Sequence, residues 1–116
     1  MSQQMWEWVK WDGRLAVSDV LRWTQAIWPE KKRRGQRPLG ERRVTAEVLE
    51  IDARGYIRLS VMADEIIKNE HGMPLKTLRR GEIIVRKKAT IGRGSPERKK
   101  WDDEAHRSVE VSVHLS

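Results

Sequence analysis

The chain has 116 residues, a length that suits one domain over 1–116 and leaves little room for two. Its 24 Lys+Arg outnumber 17 Asp+Glu for a formal charge of +7, and it has no Cys, which excludes disulfides, Cys–zinc sites and thiol catalysis and fits a reducing, cytoplasmic setting. No apolar run approaches the roughly 18 residues of a membrane span, and the Trp-rich start lacks the apolar core of a secretory signal, so neither a membrane partner nor export is expected.

Residues 5–11 alternate, with Trp6 and Trp8 on one side and Glu7, Val9 and Trp11 on the other. This predicts a short strand, ended by Asp12-Gly13. Both tryptophans read first as core, since only one face of a strand need be buried.

Residues 18–28 read as the one amphipathic helix. Ser18 serves as N-cap, Asp19 sits in the first turn, and Val17, Val20, Leu21, Thr24, Ile27 and Trp28 form a stripe with Trp23 at its edge. Trp23 and Trp28 then belong to the core. Pro29 ends the helix. Residues 29–43 form a basic loop, with Pro29, Gly35, Pro38 and Gly40 spread among its charges.

Residues 44–51 and 56–62 predict a hairpin around Asp52-Ala53-Arg54-Gly55. Residues 63–70 read as a helical turn or two, and Leu75 and Leu78 as core anchors. Residues 82–91 read as a strand with Ile83, Val85, Ala89 and Ile91 on its apolar face and Glu82, Ile84, Arg86, Lys88 and Thr90 opposite. A charged hairpin loop follows at 92–106. In 107–115, Val109, Val111, Val113 and Leu115 alternate with polar residues, the pattern of an antiparallel strand with one wet face. The expected fold is α+β but mainly β. It is a small curved antiparallel sheet or barrel, OB- or SH3-like, of about five strands with one amphipathic helix.

The charge is segregated. Residues 30–43 hold seven Lys/Arg against two Glu, and residues 76–100 hold ten against two, while the rest of the chain is net acidic. Two basic runs are the footprint of a polyanion binder. Lys31, Lys32, Arg33, Arg34 and Arg37 in the first run are expected to neutralise phosphates. So are Arg86, Lys87, Lys88, Arg93, Arg98, Lys99 and Lys100 in the second. Trp101, isolated among charges, and Tyr56, sharing a strand face with Arg58, are candidates for stacking on bases. If the neighbouring strand brings up Arg86 and Lys88, that face gains cations.

Catalytic signals are weak. Asp103-Glu104-Ala105-His106 has the letters of a helicase Walker-B box, but no phosphate-binding loop accompanies it. His71, His106 and His114 are scattered, and Asp102, Asp103 and Glu104 read more simply as a loop neutralising Lys99 and Lys100 than as a magnesium site. The expectation is a small, non-enzymatic nucleic-acid-binding protein without metal or cofactor, favouring single-stranded DNA or RNA. The alternative is an interaction module, an inhibitor or adaptor, that docks an acidic protein surface with Trp101 as anchor. A homodimer through the first strand is compatible with either.

Overall fold

The computed structural model describes residues 6–30, 34–72 and 74–115. In chain order these form β1 (Trp8–Lys10), β2 (Val20–Ile27), β3 (Gly40–Ile51), β4 (Tyr56–Asn69), β5 (Ile83–Lys87), α1 (Lys88–Gly92), β6 (Glu97–Lys99) and α2 (Glu104–Leu115). The strands make one antiparallel sheet in the order β1-β6-β2-β3-β4-β5. The mainly-β, α+β class stands. Among the described residues the sheet has six strands rather than about five, two helices accompany it rather than one, and it stays open.

The hairpin is its centre. Ile51 pairs with Ile57, and the Asp52 carboxylate accepts the N–H groups of Arg54 at 2.6 Å and Tyr56 at 3.2 Å, which fixes the turn. Both arms outrun the expected hairpin. Residues 63–69 continue β4 instead of turning helical, and Gly40–Arg43 join β3 instead of the basic loop, because Glu41 opposite Lys68 and Arg43 opposite Glu65 are favourable cross-strand partners. Register shifts in β3 at Glu41/Arg42, Thr45/Ala46 and Val48/Glu50 bend the sheet.

Three elements differ in kind from the sequence reading. Residues 20–27 are a strand, not a helix: Ser18 is no N-cap but holds a φ of 77°. β2 is paired with β3 on one side and β6 on the other, and two ladders outweigh the helical stripe from Val17 to Trp28. Residues 104–115 are a helix, not a strand. Asp103 accepts the His106 N–H at 3.0 Å, the N-cap bond, and Glu104 lies in the first turn, so the three carboxylates start a helix where the valine alternation suggests a strand. The expected strand at 82–91 stops at Lys87 and continues as α1, and the expected loop at 92–106 contains β6.

A single sheet can bury a face without a second layer only by coiling on itself. Leu21 and Trp23 of β2, Val44, Ala46 and Val48 of β3, Ile57, Leu59 and Val61 of β4 and Ile84 of β5 form one cluster. Trp11 and Leu15 join it before β2, and Ile91 joins it from α1. Each fully buried aliphatic contributes about 1.5–3 kcal/mol. In β5 the faces are reversed from expectation: Ile84 is inside, while Ile83 and Val85 are 45% and 53% exposed. Trp23 is core as expected, but Trp28, 42% exposed, is not. After β5 the chain crosses through α1 and returns along the second edge of β2, where Thr24 N–H donates to the Gly94 carbonyl at 2.9 Å. A Cβ on Gly94 would lie 2.0 Å from the Thr24 carbonyl oxygen, so this approach requires glycine.

Candidate nucleic-acid interface

The basic residues divide by what holds them. Some are structural. Arg98 is buried and gives Glu104 two hydrogen bonds, at 2.9 and 2.6 Å. The Trp101 N–H donates to the same carboxylate at 3.0 Å. The Arg98 guanidinium holds the Glu104 carboxyl down at about 2, below its ordinary 4.5. Trp101, expected to stand free in a loop, is half-buried and donates its indole N–H to Asp19 at 2.8 Å. Asp19 is fully buried and also accepts from Arg107 at 2.8 and 2.9 Å and from the Ala16 N–H at 3.0 Å. Burial alone would lower the Arg107 pKa, but bonding to Asp19 and attraction by it outweigh that and raise it. Arg42 pairs with Asp64 at 2.8 Å inside the sheet, and Arg43 pairs with Glu65 at 2.8 Å outside it.

A second group lies on the outer face of β4 and β5. Tyr56 stands opposite Lys87, whose ammonium lies 5.6 Å from the ring centre, and Arg58 stands opposite Val85 and 4.0 Å from Glu50. The expected companions of Tyr56 and Arg58 were Arg86 and Lys88. The register gives Lys87 instead: Arg86 opposes Ile57 and points inward, and Lys88 has left the strand to begin α1.

The third group lines a cleft of roughly 650 Å3. Thr24, Gln25, Ala26 and Trp28 come from β2 and its end, Pro38 and Gly40 from the basic loop and the start of β3, and Arg86, Thr90 and Arg93 from β5, α1 and the turn after it. Segments of both basic runs meet here, and the basic side chains of the lining are Arg86 and Arg93 of the second run and Lys68 of β4, beside Glu41 and Glu70. Arg86 is half-buried. Its Nε donates to the Gln25 side-chain oxygen at 3.3 Å and its Nη1 to the Val85 carbonyl at 2.9 Å. Among the described residues no carboxylate pairs with it. Burial lowers its pKa, repulsion by Arg42 lowers it further, and Glu82 offsets this in part. A half-buried guanidinium near a second cation favours an incoming anion. Arg93 is exposed on the rim, Arg34 and Arg37 are exposed on the loop that supplies Pro38, and Lys68 and Glu70 pair across the far wall at 3.3 Å. Lys31, Lys32 and Arg33 lie outside the described residues.

A fourth group, which the sequence leaves between core and a stacking platform and favours as core, lies at β1. Trp6 and Trp8, first read as core, sit half-buried outside the core cluster, their ring centres 5.9 Å apart at 62°. The Arg22 guanidinium lies 4.2 Å over the Trp8 ring and the Lys99 ammonium 4.5 Å over that of Trp6. Arg22 is held by Glu97 at 2.9 Å, and Lys100 lies 3.6 Å from Glu7. The i, i+2 spacing of Trp6 and Trp8 is the signal that could have shown it, once the other side of the strand was given to Trp11.

Among the described residues no group of three or more His, Asp or Glu side chains is placed to hold a metal ion, and no helix is long and apolar enough to cross a membrane. Asp103 and Glu104, expected in a loop neutralising Lys99 and Lys100, instead cap α2 and pair with Arg98, respectively. Comparison with known proteins finds no matching family model, no matching curated protein and no matching solved structure.

Proposed function

We propose that this is a non-enzymatic nucleic-acid-binding protein whose main phosphate contact is the Arg86 cleft. The observation that carries the reading is convergence: Arg86 and Arg93 of the second basic run line one cleft with Pro38 and Gly40 of the first, two stretches separated in the chain by the net-acidic β3–β4 hairpin. Arg86 is half-buried and, among the described residues, pairs with no carboxylate. Arg93 adds solvated charge at the rim, and Arg34 and Arg37 are exposed on the loop that supplies Pro38. Gln25, Thr24 and Thr90 add polar groups suited to phosphate oxygens. The four-stranded meander that returns through a one-turn helix to its own first strand supports an SH3-like half-barrel as the architecture.

The test is fluorescence anisotropy with labelled single-stranded DNA, duplex DNA and RNA over a salt series. Neutralising about four or more phosphates gives a log K against log salt slope of about −3 to −4. Arg93→Ala and Arg37→Ala, both at exposed positions, should each weaken binding to all sequences and flatten the slope by about 1. Absence of binding to all three probes at low salt would overturn the reading.

One feature favours a protein partner instead. Ile83, Val85 and Tyr56 leave an apolar patch beside β5, the strand at the sheet's edge, and such an edge can add a strand from another chain. In that case binding would respond to Val85→Lys and hardly to salt.

A further inference from the structure

We infer that the Trp6–Trp8 surface is a stacking platform for unpaired bases, so that the bound nucleic acid is single-stranded where it crosses this face. The inference rests on the nucleic-acid reading above and adds the form of the ligand. Two observations carry it.

The first is position. β1 is a three-residue strand hydrogen-bonded to β6, with Trp8 opposite Lys99 and Lys10 opposite Glu97. The core is complete without Trp6 and Trp8. They present half-buried indoles on the solvent side of β1–β6–β2, next to Arg22, which is on the outward-facing side of β2.

The second is charge. Arg22 and Lys99 lie against the rings, and Glu97 fixes Arg22. A base that stacks on an indole brings its phosphates within reach of these cations. The pairing of aromatic face and positive charge is what holds single strands without sequence preference.

A duplex cannot use this platform, because its bases are already stacked and must be unpaired first.

The experiment compares a labelled oligothymidylate with a duplex of equal length at one salt concentration, following anisotropy and tryptophan emission. Wild-type protein is expected to bind the oligothymidylate at least about tenfold more tightly and to be quenched by it alone. Trp6→Ala and Trp8→Ala should each lose about 5- to 150-fold toward the single strand, with duplex affinity and salt slope unchanged. The double variant Trp6→Phe/Trp8→Phe keeps two rings. It should bind within a few-fold of wild type while the quenching falls to whatever Trp28 beside the cleft contributes, which separates stacking from loss of fold. Equal affinity for both probes, or quenching undiminished in the Phe variant, overturns the platform and leaves the cleft standing. Failure to bind either probe at low salt removes the nucleic-acid reading beneath it.

Discussion

Asp19 carries more than its place in the sequence suggests. Its carboxylate is fully buried, and both oxygens are bonded: Oδ1 to Trp101 and Arg107, Oδ2 to Arg107 and the Ala16 N–H. Removing one partner of a buried ion pair leaves an uncompensated charge, whose desolvation is no longer offset. Asp19→Ala should therefore destabilise the fold by about 3–5 kcal/mol in denaturant unfolding. Arg107→Met, which removes the charge and fills the volume, should cost less than Arg107→Ala. An Asp19→Ala loss under about 1 kcal/mol would mean that water replaces Arg107. Nothing in the sequence pairs residue 19 with residue 107. Asp19 reads as the first turn of a helix and Arg107 as the start of a strand, and the bond appears only when both neighbourhoods take their other form.

Those two misread elements share a cause. In 18–28 and in 107–115 the apolar residues fit both a period of 3.6 and a period of 2 over a short run, so pattern alone leaves the element type open. Partners decide. β2 has strand neighbours on both edges; α2 has a capping aspartate and two ion-paired residues, Glu104 and Arg107, in its first turns. The hairpin was legible because its turn chemistry and its alternation agree. The Arg86 cleft was legible as charge but not as a place, because strand register decides that Arg86 faces in and Lys87 out. The α2 anchor also predicts a pH response. The Glu104 pKa falls from 4.5 unfolded to about 2 folded, so its contribution is complete above about 4.5 and is lost as the pH falls through 2. Trp101 emission and helical circular dichroism should change across that window. In Glu104→Gln the change across it should be smaller, while docking at neutral pH should already be weaker. A Gln variant that titrates like wild type would place the acid response elsewhere.

For the whole molecule, the decisive contact is the return of the chain onto β2 at Gly94. It turns a four-stranded meander into a coiled sheet, brings Arg93 to the cleft, and sets β6 where β1 can join. Gly94→Ala puts a methyl group onto the Thr24 backbone and should cost about 3 kcal/mol, the upper end for overpacking. Gly92→Ala, two residues earlier in α1, meets nothing within 4 Å and should be neutral or stabilising by up to about 1 kcal/mol. Thermal unfolding of the two variants side by side checks this, and equal melting temperatures would contradict it.

The β1–β6 pairing also sets an order of assembly. β3 and β4 are joined by a tight turn and can zip locally, whereas Trp8 has no strand to pair with until Lys99 has been made and brought back. Closing that long loop is slow, and it comes after the hairpin has formed. While a ribosome is still making the chain, Trp6 and Trp8 are therefore the aromatic pair that waits longest between synthesis and pairing, a stretch open to mispairing or to a chaperone. The surface proposed to hold bases is also the one that closes the fold.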